Sequence, residues 1–241
     1  MKSNTSPFKI LFLYPNEMNI YGDTGNAIVL QKRLQWRGFD AEIIFHHPGK
    51  PLAEKPDIII GGGGQDSGQR KIFEDLLRIG DRLHDLADEN VPMLLVCGLY
   101  QLFGHGFYTH DGDSMKGISI FNAETHATPQ RLIGNITLDS PFGMLIGYEN
   151  HSGQTKLLGD QQPLGTVVKG YGNNAEEGHE GAVYRHVYGT YLHGSILPKN
   201  PLFADALIAQ AFKNRGDLSP LKPLDDHFSS QARDALLTRL R

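Results

Sequence analysis

The chain has 241 residues, 39% of them hydrophobic and 21% charged, values that suit one soluble α/β domain with a sizeable core. A formal charge of -4 leaves no basic footprint for nucleic acid, and the single cysteine, Cys97, excludes an internal disulfide and points to a reducing compartment. The apolar stretch Ile10–Tyr14 is too short for a signal segment or a membrane span, so a cytoplasmic protein is expected.

Lys9–Tyr14 reads as a first buried strand that ends at Pro15. Asn26–Trp36, with Ile28, Leu30 and Leu34 among polar residues, predicts a helix closed by Gly38. Ala41–Phe45 and Asp57–Ile60 follow as strands, the second running into Gly61–Gly64. Apolar residues recur at helical spacing through Ile72–Leu86, and Met93–Val96 is the next strand. Strands alternating with helices predict a mostly parallel, doubly wound sheet with flanking helices. From Gly117 to Tyr191 the texture changes to short strands, such as Gly134–Leu138, Thr166–Val168 and Val187–Leu192, separated by turn residues. Pro201–Phe212 and Ser229–Leu240 read as closing helices. A single domain is expected over 1–241, with a core of about 9–215 and a helical extension over 216–241.

Cys97 follows a buried strand and precedes Gly98 and a helix-like stretch. Such a corner holds a nucleophile at the carboxyl edge of a sheet, and the helix N-terminus behind it favours thiolate. A lone buried cysteine elsewhere in a chain is more simply a small hydrophobe. The run Gly61–Gly64 allows close backbone approach to a ligand. It lacks the Lys-Ser/Thr of a phosphate loop and the glycine spacing of a dinucleotide fold, so no cofactor is expected. An oxyanion loop needs only its N–H groups. Tyr188–Ser195 is an apolar strand that ends in His193, a candidate base for the thiol. His46, His47, His105, His110 and His126 lack the spacing of metal ligands. No metal site is expected.

The glycine loop, Cys97-Gly98-Leu99-Tyr100-Gln101, Gly147-Tyr148-Glu149-Asn150-His151 and Gly189-Thr190-Tyr191-Leu192-His193-Gly194 together resemble the class I glutamine amidotransferases. The match is to their cobyric acid synthase-like branch, and it runs from Lys9 to about Arg215. It implies a flavodoxin-like α/β fold with a smaller strand-rich extension. Within the branch, Met18–Asp23 and Gly62-Gly63-Gly64-Gln65-Asp66 are similar to the stand-alone glutaminase subunits of lipid II isoglutaminyl synthase. The fused cobyric and cobyrinic acid synthases carry an ATP-binding domain for which no room is seen before Lys9.

The resemblance implies that Cys97 attacks the side-chain amide of L-glutamine and that His193 serves as base, then acid. It implies an oxyanion site at the N–H groups of Gly63 and Gly98. Gln101, Asn150, His151 and Ser152 fall where the family holds glutamine, and Arg131 where it carries a gating arginine. The implied partner is a Mur-ligase-like, ATP-dependent subunit in a heterodimer, through which lipid II is reached. Ser195 stands where many class I enzymes have an acid two residues after the histidine, which leaves a dyad or a third member from elsewhere, with Glu149 a candidate. Ammonia supply to a corrin-type amidation, a cysteine hydrolase on the same scaffold, and a glutamine-binding sensor remain open from the residues alone.

Overall fold

The computed structural model describes residues 6–53, 55–109 and 112–239. Its first sheet is built from β1 (Phe8–Leu13), β2 (Ala41–His46), β3 (Ile58–Gly61), β4 (Met93–Val96), β11 (Ala182–Tyr184) and β12 (Val187–Thr190), in the order β11-β12-β4-β3-β1-β2. All neighbours in it are parallel except the β11–β12 edge pair. β3 and β4 are short runs, Ile-Ile-Ile-Gly and Met-Leu-Leu-Val, buried throughout. Parallel strands covered by helices on both faces require that pattern.

Helix α1 (Thr24–Trp36) lies between β1 and β2, and α2 (Asp66–Asp88) between β3 and β4. In α2 the buried residues Ile72, Leu76, Ile79, Leu83 and Leu86 repeat at three- and four-residue steps, one face of a helix. In α1 the buried face is Asn26, Ala27, Leu30, Arg33 and Leu34, whereas Ile28 is exposed. Helical geometry puts Ile28 on the opposite side from Leu30 and Leu34, so the expected stripe holds at only two of its three positions. Arg33 is buried because Asp205 and Asp226 bind it at 2.7 and 2.6 Å. Those bonds tie α1 to α5 (Pro201–Asn214) and to the segment before α6 (His227–Arg239). Leu240 of the expected closing helix lies outside the described residues.

The second sheet is larger than the sequence pattern predicts. β7 (Ala123–Ser140) and β8 (Gly143–Leu157) form a long antiparallel hairpin with a register shift between Ala127 and Leu132. β9 (Gly165–Lys169), β10 (His179–Glu180), β5 (Gly106–Tyr108) and β6 (Ser114–Lys116) complete it. Irregular pairing and polar outward residues break the alternation of β7, so that only its Gly134–Leu138 part reads as strand in sequence. The two sheets meet where Tyr148 of β8 pairs with His193, the His193 N–H donating to the Tyr148 carbonyl at 2.7 Å. The hairpin thereby lies against the carboxyl edge of the parallel sheet, where α/β sheets bind ligands. No helix among the described residues is long and apolar enough to cross a membrane.

Candidate active site

Cys97 joins β4 to the short helix α3 (Gly98–Phe103) with φ 49° and ψ -105°. A side chain with a Cβ adopts this region only when its surroundings force it, and strand-to-helix corners that carry nucleophiles have this character. The adjacent Gly98 N–H favours negative charge on the sulfur. Gly63, beyond β3, is the surface against which the corner packs. A methyl group on Gly63 would lie 2.6 Å from His193 Cε1 and 3.2 Å from Cys97 Cβ. The glycine lets histidine and cysteine close on the same spot.

In front of Cys97 lies a cavity of about 100 Å³. Gln101, Arg131, Asn150, His151 and Ser152, all expected at the site, line it together with Cys97. Arg131 Nε donates to Asn150 Oδ1 at 2.6 Å. Gln101 bridges Gln69 Nε2, which it accepts at 2.8 Å, and the Tyr191 hydroxyl, to which it donates at 3.2 Å. His151 stacks on Tyr191 with ring centres 3.6 Å apart and gives its Nδ1–H to the Gly153 carbonyl at 2.6 Å. His193 lies deeper, 1% exposed, with the Tyr21 ring 4.3 Å away.

Three expectations change. The Gly63 N–H does not face the cavity, because it donates to Asp23 Oδ2 at 2.8 Å. Gly64 lines the cavity instead, and its nitrogen is 3.3 Å from where a Gly98 Cβ would stand. Glu149 does not reach His193: it is fully buried, accepts the Tyr171 and Gly172 N–H groups at 2.8 and 2.9 Å, and has His151 as its nearest imidazole at 3.9 Å. Asp23 is the acid beside His193, with Oδ2 3.9 Å from Nδ1. Its only trace in sequence is its place in the Met18–Asp23 stretch, and no spacing rule links that stretch to the histidine. Among the described residues no group of His, Cys, Asp and Glu could hold a metal, and His110 lies outside them.

A match to the CobB/CobQ-like glutamine amidotransferase domain covers residues 9–201. The chain belongs to the CobB/CobQ-like glutamine amidotransferases. It is 35% identical over 226 residues to lipid II isoglutaminyl synthase (glutamine-hydrolyzing) subunit GatD of Staphylococcus aureus strain N315, covering 93% of this chain and 92% of that one. The Streptococcus pneumoniae (strain R6) protein of that name is 34% identical over 220 residues, covering 89% and 85%. Among solved structures, PurLQS from Thermotoga maritima shares the fold, with a TM-score of 0.58 at 14% identity over 88% of this chain and all of that one.

In this glutamine amidotransferase the third change is electrostatic. The corner does not hold a thiolate at rest: burial, reinforced by the negative charge of Asp23, pushes the Cys97 thiol up to about 12. The Gly98 N–H and Arg131 pull the other way and lose. A six-residue helix offers too little field to outweigh desolvation. His193 is pushed down to about 3, first by burial and then by His151, Lys199 and Arg131. The resting pair is a neutral thiol and a neutral imidazole.

Glu180 adds a pH signature. Burial raises its carboxyl to about 8 although Tyr191 N–H and Thr190 Oγ1 donate to it. A raised native value means that the native state keeps a proton which the unfolded chain has released. The stability it contributes is therefore complete below about pH 4.5 and is lost as pH rises through about 8. Asp23, raised to about 6, and His193, lowered, act with opposite signs at more acid pH. The melting temperature should fall between about pH 6.5 and about pH 8, and Glu180→Gln should flatten that fall. Thermal melts across the range decide it: equal slopes for the two proteins would exclude Glu180 as the source.

Proposed function

We propose that this amidotransferase is the glutamine-hydrolysing subunit of a two-subunit enzyme that amidates lipid II, converting the α-carboxylate of D-glutamate to the α-carboxamide of D-isoglutamine. The observation that carries the reading is Cys97 at φ 49°, at the end of a cavity and packed with His193 on Gly63. The lipid II assignment rests on similarity to the two GatD subunits over nearly their whole lengths. The cobyric acid synthases that this chain also resembles are matched over only 40% of their length or less, which favours the stand-alone subunit.

The cavity wall includes one cation, Arg131, and one carboxylate, Asp66, the pair that a zwitterionic amino acid needs at its α-carboxylate and α-ammonium. Asn150, His151 and Ser152 shape the wall beside Arg131, and Gln101 closes the inner end. The reaction then runs in two halves. The Cys97 sulfur attacks the glutamine amide carbon as His193 takes the thiol proton, and charge gathers on the amide oxygen. The N–H groups of Gly64 and Gly98 stabilise that oxygen, a contribution of about 3 kcal/mol per donor. His193 returns the proton to nitrogen, the carbon–nitrogen bond breaks, and ammonia leaves behind a γ-glutamyl thioester. Water, activated by the same histidine, releases glutamate and restores the thiol.

Ammonia is useful only if a carboxylate elsewhere is activated, and this sequence has no phosphate loop. A Mur-ligase-like subunit that binds ATP supplies the activation in a heterodimer, and the acceptor is reached through it. Reconstitution with that subunit, lipid II, ATP and glutamine, followed by mass spectrometry, should yield D-isoglutamine. Cys97→Ser should block the glutamine-dependent reaction and be rescued by a high concentration of ammonium salt. Amidation from glutamine without this chain, or failure of ammonium to rescue the variant, would overturn the ammonia-supply role.

A further inference from the structure

We infer that Asp23 is the positioning acid of this site, acting on His193 through Nδ1, and that Ser195 locks together the two loops that bring them side by side. The inference rests on the reading of Cys97 as nucleophile and His193 as its base. An imidazole that takes a proton from a thiol needs a partner on its other nitrogen, to choose the tautomer and to stabilise the cation that forms. The residue two places after the histidine is a serine and cannot do this.

The other buried acids near the site are committed. Glu149 holds Tyr171 and Gly172, and Glu180 holds Thr190 and Tyr191. Asp23 differs. It is 0% exposed, only its Oδ2 is engaged, by Gly63, and Oδ1 has no hydrogen-bond partner. Both ring nitrogens of His193 are likewise buried without a partner. A buried donor and a buried acceptor left unmade cost free energy, and here they belong to neighbouring side chains. The 3.9 Å between Oδ2 and Nδ1 is about 1 Å beyond a hydrogen bond. Catalytic hydrogen bonds are often long in free enzymes and tighten when substrate binds.

Ser195 gives the arrangement its rigidity. It has φ 47° and follows Gly194 at φ 74°, so the chain turns back directly after the histidine. From that turn the Ser195 hydroxyl donates to the Gly22 carbonyl at 2.8 Å, one residue before Asp23. Ser195 Oγ also fills the space that a Cβ on Gly25 would need, which holds the two loops in contact. Lys199, on α4 (Ile196–Lys199), donates to the Gly194 carbonyl at 2.7 Å and reaches the His193 carbonyl at 3.5 Å. Its charge favours the ionised form of Asp23 against the burial that opposes it. The position that usually carries the acid has become the clamp for an acid delivered from the loop after β1.

The test uses the intact chain and a diazo-ketone glutamine analogue, whose single adduct on the only cysteine can be followed by mass spectrometry. Asp23→Asn keeps an oxygen for the Gly63 N–H and removes the charge. It should lower the maximal labelling rate by about 30-fold or more, with the half-saturating concentration within about threefold and the melting temperature unchanged. In a His193→Ala background the same substitution should cost less than about twofold, because the partner through which it acts is gone. Ser195→Ala should slow labelling by about threefold or more in the wild-type background alone. Labelling of Asp23→Asn at the wild-type rate, or an equal loss in both backgrounds, would overturn the inference and leave the Cys97–His193 reading standing. Failure of the wild-type protein to label at Cys97 would overturn both.

Discussion

Cys97→Ser should abolish glutamine hydrolysis, by about 1,000-fold or more, and leave the melting temperature close to that of the wild type. The stability half follows from what the thiol touches. It is 7% exposed and no side chain depends on it for a hydrogen bond among the described residues, and a hydroxyl of similar size fits the same space. The φ of 49° strains serine no more than cysteine, since both carry a Cβ. The activity half follows from the anion required. Burial already pushes the thiol up to about 12, so His193 must remove the proton in concert with attack. An alcohol starts several units less acid, and the same imidazole cannot reach its alkoxide at a useful rate. Steady-state glutamate release by the chain in its complex measures the first half, and thermal melting the second. Wild-type turnover by the serine variant would sink the covalent mechanism.

His193→Ala should reduce turnover by about 100-fold or more, while His151→Ala should act mainly on KM. Both histidines are buried and both are near the cysteine, so geometry must separate them. His193 packs with Cys97 on Gly63 and has two nitrogens free of hydrogen bonds. In His151 one nitrogen is committed: its ring lies flat on Tyr191, its Nδ1–H is given to Gly153, and its remaining Nε2 has the Glu149 carboxylate 3.9 Å away rather than Gly63 and the cysteine corner. Its removal should loosen the wall that receives glutamine and leave the proton path intact. If His151→Ala proved the more damaging to kcat, the assignment of the base would have to be exchanged.

Much of the parallel half of the fold is legible in the chain because its signals are local. β3 and β4 are unbroken apolar runs, and α2 keeps a 3.6-residue period across Ile72, Leu76, Ile79, Leu83 and Leu86. Cys97 and His193 stand out because each ends such a run before a glycine, in the order of a recognisable family. The hairpin of β7 and β8 is much less visible. Its outward positions are mixed and its register shifts, and pairing between distant residues leaves no periodic trace.

Residue types and their order were enough to single out Cys97 and His193 and part of the cavity wall, Gln101, Arg131, Asn150, His151 and Ser152. Their chemical state was not readable in that way. A helix N-terminus after a cysteine suggests thiolate, yet burial beside Asp23 makes the thiol the resting form, because desolvation is a property of everything packed around the sulfur. A glycine run promises N–H donors, yet which amide faces the ligand depends on Asp23 having already taken that of Gly63. Asp23 itself comes from the loop after β1 and meets His193 only because β1, β3, β4 and β12 end along one edge of the sheet. Local spacing carries secondary structure and nucleophile corners. Burial, hydrogen-bond partners and the sharing of one backbone amide arise between segments far apart in the chain, and the packed fold sets them.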